Sequence, residues 1–359
     1  MIITIIVGII AVLFGWLAKF KNVRFGLWIS FAFIFLFLAL RYNFGNDYKE
    51  YLDRFLEINR YSSINFFDKT FNFEPGWIAL CRLFRPVGFF GMTAVLAMLN
   101  CFIYYRFIKN YVPVRYYWLA IFLYVFSSGF MLTHASAMRQ SLTINIFLFS
   151  LPYIYNKKAL RYLLCISLAM LFHTAAIILA PIYLLGVFNW KINKVTATAI
   201  YSVFILLFIY GKAFMPIINQ VVSDKFKRYE AYLQSGASEL TTGLGVLFLS
   251  IILILALYYA QFQNKEYTLL FKLFILGMMF IPLSFMLIML GRIEMYFAPI
   301  GITILPIIVS DIKNRLTRVT LVVFIICFTL YGFIQFYKSP IWHDAFITYQ
   351  TIFSAPEFY

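Results

Sequence analysis

An all-α, polytopic integral membrane protein is the fold class this sequence predicts. Three observations carry it. Residues of the AVILMFWYC set make up 63% of the chain and charged residues only 12%, about half the charge of a soluble domain. Uncharged runs of roughly 18 residues or more, the length that spans a bilayer as a helix, recur along the chain. None of them alternates as barrel strands do, and in hydrocarbon only helices and closed barrels satisfy the backbone. The net charge of +16 invites a nucleic-acid reading. In a membrane protein that surplus belongs to the cytoplasmic loops, and no nucleic-acid partner is expected. Cys81, Cys101, Cys165 and Cys327 lie in apolar surroundings without ligand spacing. They read as packing residues, and no metal or cofactor is expected.

Taken in order, ten spans are predicted: 2–18, 25–40, 87–105, 116–132, 137–155, 195–211, 243–261, 267–290, 295–310 and 319–337. They make one transmembrane domain over 1–359. The first lacks a basic start and a small-residue cleavage site, so it reads as a retained span. Three polar stretches exceed what connectors need: 41–86, 212–242 and 338–359.

The segment 162–190 is irregular. As one straight helix its 29 residues would measure roughly 44 Å, too long for a hydrocarbon core of about 30 Å. Charge decides how it runs. If it enters and leaves on the same side, one face of the membrane collects 16 Lys and Arg against Glu266 and Asp311, and the other 14 against 12 acids. A single crossing separates the basic loops at 19–24 and 313–318. The positive-inside rule therefore selects a bent helical hairpin, with both termini outside. A broken element survives only when buried or lining a polar cavity. It carries His173 to its bend, where the imidazole either caps the broken helix or serves a site.

The outer face then gathers the unusual charges. In 41-RYNFGNDYKEYLDRF-55, Arg41 follows an apolar span, and Gly45-Asn46 permit a turn that aims Asp47 back at it. Tyr48, Tyr51 and Phe55 share one face of a short interfacial helix, where tyrosines serve as belt residues. Glu74-Pro75-Gly76 opens a second short helix, with Pro favoured in the first turn. Arg82 and Arg85 on it suit lipid headgroups. In 133-THASAMRQSLTIN-145, His134 precedes a span, and Arg139 and Gln140 enter its first turn. A cation there opposes the helix dipole unless an anion is bound, which makes Arg139 the most informative residue of the chain. The link 291-GRIEMYF-297 is very short and holds Arg292 and Glu294 near the membrane, as an ion pair or as cavity lining. Phe226, Tyr229 and Leu233 against Lys225, Arg228 and Tyr232 mark an amphipathic helix on the outer interface or a lid.

Guanidinium groups match phosphate bidentately and keep their charge. Arg41, Arg139 and Arg292 at span ends on one side suit a lipid phosphate or diphosphate. The neighbouring tyrosines suit sugar rings. Asp47, Glu74, His134 and His173 are acid/base candidates at the same level. There is no Walker loop, Rossmann glycine pattern or zincin motif, so the reaction needs an already activated donor.

These motifs, in this order, resemble the EpsG-type branch of the Wzy polysaccharide polymerases. The residues that carry the likeness are Arg41 with Gly45, Asp47 and Tyr51, then Glu74-Pro75-Gly76, Arg139-Gln140, 171-LFHTAAIILAPIY-183 and 292-RIEMYF-297. The resemblance implies a GT-C-like, metal-independent glycosyltransferase of the bacterial inner membrane, with its site facing the periplasm. It would move a growing O-antigen, capsular or exopolysaccharide chain from undecaprenyl diphosphate to a new lipid-linked repeat unit. Donor and acceptor are then lipid-linked oligosaccharides among membrane lipids, and a chain-length regulator is an expected partner. Arg41, Arg139 and Arg292 would hold the diphosphate. Tyr48, Tyr51, Gln140, Arg228, Glu294 and Tyr296 would meet the substrate, with Asp47, Glu74, His173 and His134 as the acid/base groups. Asp47, Glu74 or His173 takes the acceptor proton, and the sequence leaves all three open. Rival readings are a lipid-linked glycan flippase, a membrane O-acyltransferase and an O-antigen ligase. A flippase should carry charge at mid-depth and two related halves, neither of which is apparent here.

Overall fold

The computed structural model describes residues 1–61, 73–127, 129–188, 193–225, 243–259, 264–284 and 288–354. Almost all of them are helical, and the protein is an all-α, multi-pass membrane protein. Among the described residues, five helical stretches are long and apolar enough to cross a bilayer: Lys21–Ala39, Gly88–Tyr111, Lys265–Ser284, Gly291–Asp311 and Arg315–Lys338. The other expected spans fall on shorter apolar helices, such as Ile2–Leu17 and Val114–Phe126, or on Met138–Tyr155. The chain divides into two compact units, Met1–Tyr183 with Leu305–Tyr359, and Leu184–Ile304.

In the first unit, α1 (Ile2–Leu17) and α2 (Gly26–Ala39) form a close hairpin. Gly26 makes it possible, because a Cβ there would run into the Phe14 carbonyl. Ser30 Oγ donates to the Ala11 carbonyl at 2.6 Å across the pair. The polar stretch 41–86 then gives α3 (Tyr48–Arg60) and α4 (Pro75–Leu83). The apolar face of α3 is core, not a belt. Tyr48, Tyr51 and Phe55 are buried against Trp77, Ile78 and Phe89, while Lys49, Glu50 and Asp53 face out. Arg82 Nη1 donates to the Tyr61 carbonyl at 2.7 Å, which closes the C-terminal end of α3.

Helices α5 (Gly88–Tyr111) and α6 (Tyr117–Phe126) follow. The expected 116–132 span is interrupted: the helix stops at Phe126, and α7 (Met131–Ser136) is a separate short helix before α8 (Met138–Tyr155). Then α9 (Ala159–Met170) leads to His173, which is extended (φ −157°, ψ 109°), and to a 3-10 helix Thr174–Ile182. Tyr162, near the start of α9, donates its hydroxyl to the Leu179 carbonyl and lies 5.9 Å ring to ring from Tyr183. The chain therefore doubles back within 162–183, as the charge argument requires. A nine-residue 3-10 run is unusual, since such helices seldom exceed three or four residues.

The C-terminal stretch belongs to this unit too. Gln350–Thr351 pairs antiparallel with Arg41–Tyr42. Gly45 N–H donates to the Ala345 carbonyl at 3.0 Å, and Tyr349 OH to the Phe37 carbonyl at 2.7 Å. Two of the three overlong polar stretches thus clasp each other.

In the second unit, Lys194–Lys225 is one helix of 32 residues. At 1.5 Å each it is about 48 Å long, more than a bilayer core needs, so the expected outer stretch starts as a helical extension. Residues 226–242, with Arg228 and most of the expected amphipathic helix, lie outside the described residues. Lys272 Nζ donates to the Leu185 and Phe188 carbonyls at 3.0 and 2.9 Å. The expected link 291–297 is not a loop but the end of the helix Ile288–Phe297. Nothing in GRIEMYF breaks a helix, and Pro299 opens the next turn in its preferred place. This helix packs tightly on Lys265–Ser284, with Phe280 and Phe297 stacked at 5.8 Å over Gly277.

Candidate functional site

The site is built on the first turn of α4. Glu74 precedes the helix in an extended conformation, and Pro75 takes the first helical position. Gly76 N–H donates to the Leu171 carbonyl at 2.8 Å. A Cβ on Gly76 would lie 2.6 Å from that oxygen, so only glycine lets the start of α4 dock on the bend of the hairpin. On the other side, Trp77, Ile78 and Cys81 bury against α3, α5 and the first turns of α8. Four elements therefore meet around one carboxylate.

Glu74 Oε2 accepts from Arg139 Nη1. Its Oε1 lies 3.4 Å from His173 Nδ1 and accepts from the Thr174 backbone N–H at 3.2 Å. Arg139 Nε reaches Tyr51 OH at 3.4 Å, and the guanidinium lies 4.4 Å from the Phe73 ring centroid. The side chains of Glu74, His173 and Arg139 are 12%, 15% and 24% exposed, so the cluster is sheltered but not sealed. Burial works to raise the pKa of Glu74. The bond from His173, the Arg139 charge and the backbone N–H groups outweigh it and hold Glu74 down at about 2. Burial raises the Tyr51 phenol, with the nearby Asp47 charge adding to the rise and Arg139 opposing it.

The dipole argument for Arg139 is met from inside the protein. The anion at the head of α8 is Glu74. That pairing uses Nη1, and Tyr51 takes Nε.

The other expected residues lie as follows. Asp47 begins α3, and its N–H donates to Ser136 Oγ at 3.3 Å. It does not pair with Arg41. Arg41 is fully buried and donates Nη1 to the Leu38 carbonyl, while its Nε and Nη2 find no hydrogen-bond partner among the described residues. Tyr48 lies 5.9 Å from its guanidinium and bonds its backbone carbonyl at 3.2 Å. His134 is buried as well. Burial, then the Arg41 charge, pushes its pKa down to about 3, which keeps it neutral. Gln140 is buried next to Arg139. In the second unit Arg292 is exposed, Glu294 half-buried and Tyr296 buried, all on the same helix.

Within the first unit the structure thus joins Glu74, Arg139, His173 and Tyr51, with Asp47 close enough to act on Tyr51. Arg41, Tyr48 and His134 form a different, sealed group. Three participants were not anticipated: the Phe73 ring under the guanidinium, the Thr174 N–H on the carboxylate, and the Leu171 carbonyl that fixes Gly76. Phe73 precedes Glu74 directly, and that adjacency is its only trace in the sequence. Backbone partners leave none.

Among the described residues no group of His, Cys, Asp or Glu is arranged to hold a metal ion. Compared with known families, the chain matches the model of the EpsG family over residues 25–351. No curated protein and no solved structure matches it.

Proposed function

This chain belongs to the EpsG family, and from that premise we propose that it is an oligosaccharide repeat-unit polymerase. It acts as a glycosyltransferase of the bacterial inner membrane, on the periplasmic face. The growing glycan leaves undecaprenyl diphosphate and joins the non-reducing end of a new lipid-linked repeat unit. The observation that carries this reading is the Glu74–Arg139–His173 cluster, held between α3, α4, α8 and the hairpin bend.

In the mechanism, the acceptor hydroxyl attacks the anomeric carbon of the donor. The new glycosidic C–O bond forms as the bond to the diphosphate breaks. His173 is the base. Glu74 accepts from Nδ1–H, which orients the ring and leaves Nε2 to take the hydroxyl proton. Glu74 itself, with its pKa held at about 2, is too weak a base and serves to position its two partners. Arg139 keeps donors beyond those used by Glu74 and Tyr51, and they meet the negative charge that develops on the departing diphosphate. Breaking the donor's own diphosphate linkage supplies the driving force, so no nucleotide is needed. Arg292, on an exposed helical position of the other unit, is a second candidate for the diphosphate.

A glycan gel from a strain lacking the gene tests this. Wild type should restore the polymer ladder, Arg139→Ala should leave single-repeat products at normal protein levels, and Arg139→Lys should rescue partially at best, because an ammonium lacks the fork geometry. If loss of the gene removes the single-repeat product as well, the protein is a flippase, and the polymerase reading fails.

A further inference from the structure

A second cluster of charge lies in the first unit, away from the residues used above. A cavity of about 650 Å³ opens between the C-terminal end of α1, the start of α6 and the start of the helix Arg315–Lys338. Lys19, Arg115, Arg315 and Arg318 line it, with Trp16 and Trp118. No carboxylate lines it. The nearest acid along the chain, Asp311, instead accepts from Ser310 Oγ at 3.2 Å. None of the four cations is in an ion pair among the described residues. Aromatic rings hold two of them: Lys19 Nζ sits 3.7 Å from the Trp16 centroid, and Arg115 lies 5.6 Å from the Tyr116 centroid.

Arg315 and Arg318 stand in the first turn of their helix, where the dipole disfavours cations. At Arg139 a carboxylate resolves the same conflict. Here the protein supplies none, and four cations around one cavity are the arrangement that phosphate groups complete. The helix that carries two of them is the least covered of the spans: only 17% of its apolar window is buried. Leu316, Val319 and Val323 are 77%, 49% and 52% exposed, and they run from the cavity down the helix. The tryptophans beside the cavity fit the headgroup level of a membrane. By the positive-inside rule, this end faces the cytoplasm.

We propose that this cavity holds the headgroup of an anionic phospholipid bearing two phosphates, in the cytoplasmic leaflet, with its acyl chains along the helix Arg315–Lys338. Two phosphates balance the cations better than one. The apolar helix below distinguishes a lipid from a free phosphate or diphosphate, which shares the headgroup chemistry but gains nothing from Leu316, Val319 and Val323.

The test is lipid retention by the full-length protein purified in mild detergent, read by native mass spectrometry. The probes are diphosphatidylglycerol, phosphatidylglycerol, phosphatidylethanolamine and inorganic diphosphate. Wild type should retain diphosphatidylglycerol most strongly. The triple variant Arg115→Gln, Arg315→Gln, Arg318→Gln should hold it about a hundred-fold more weakly, at about one kilocalorie per cation. The single Arg318→Gln should weaken it roughly five-fold on the same scale, and it keeps the test alive if the triple variant is unstable. Equal retention of the three lipids by wild type, or unchanged retention by these variants, overturns the proposal. So does full displacement of the lipid by millimolar inorganic diphosphate, which would make the site one for a soluble anion.

Discussion

Arg41 and Arg139 sit at the ends of apolar helices in the same compact unit, yet their surroundings are opposite. Arg41 lies just past the C-terminal end of α2 and returns its guanidinium to the Leu38 carbonyl. That is the negative end of the helix dipole, which welcomes a cation. Tyr349 and the strand Gln350–Thr351 close over it, a neutral His134 is beside it, and no carboxylate is involved. Arg139 lies in the first turn of α8, where the dipole opposes it, and it is held by Glu74. One arginine turns back on its own helix through Nη1 and is sealed, its Nε and Nη2 without a hydrogen-bond partner among the described residues. The other needs an anion from outside the helix, and it stays partly exposed. The direction of the helix, more than the presence of an arginine at a helix end, decides whether the cation is met by its own backbone or needs an anion from elsewhere.

The largest effect should come from removing each charge in turn. Arg139→Met is expected to lower polymerisation by about two to three orders of magnitude, the usual loss when a group facing developing charge is removed. Arg41→Met should leave the ladder within about twofold of wild type, because no buried partner charge is left exposed by the change. The readout is ladder length and yield at matched protein levels. A ladder lost with Arg41→Met and kept with Arg139→Met would reverse the comparison.

A pair of histidines sharpens it. His173→Asn should cost roughly 10²–10⁴ in rate, the range for a positioned general base. His134→Asn should leave the rate close to wild type, because burial and Arg41 already keep His134 neutral across the working range. Equal rates for wild type and His173→Asn would remove the imidazole from the reaction.

How much of this was legible in the sequence depends on the range of the signal. Local signals read well. The short helices that open at Asp47 and Glu74, the doubling back within 162–183 and the conflict at Arg139 follow from turn residues, charge asymmetry and helix polarity. Contacts across long separations did not. Glu74 meets Arg139 across 65 residues and His173 across 99, and nothing in the spacing announces either. The three arginines looked equivalent because charge patterning predicts a side of the membrane for each residue but not which side of a packed wall. Arg41 disappears under a C-terminal tail more than 300 residues away. The break after Phe126 had a signal, Ser127 and Gly129, that the apolar count of the segment masked. At 291–297 the error ran the other way, and a charged pair was mistaken for a loop inside a helix.

The smallest effect concerns pH and stability, and its sign is fixed by Glu74. In the folded protein this carboxyl is held at about 2, below its ordinary value of 4.5. A group whose pKa is lowered by folding stabilises the protein while it is ionised in both states, above about 4.5, and loses that contribution as the pH falls through the folded value. The difference in stability between wild type and Glu74→Gln should therefore be constant from pH 7 to about 5, at no more than about 3 kcal/mol for a shift of this size. It should shrink below 4.5 and vanish near 2. The sealed arginine gives the contrast. Arg41 has no carboxylate partner among the described residues, but its charge helps hold His134 neutral, so wild type should lose stability relative to Arg41→Met as the pH falls toward 3, where His134 charges more readily once Arg41 is gone. Thermal unfolding of the three proteins in one detergent, at pH 7, 5, 4 and 3, reads both slopes. A wild-type advantage over Glu74→Gln that grows on acidification would mean that Glu74 is protonated in the folded protein, and that Arg139 is held by something else.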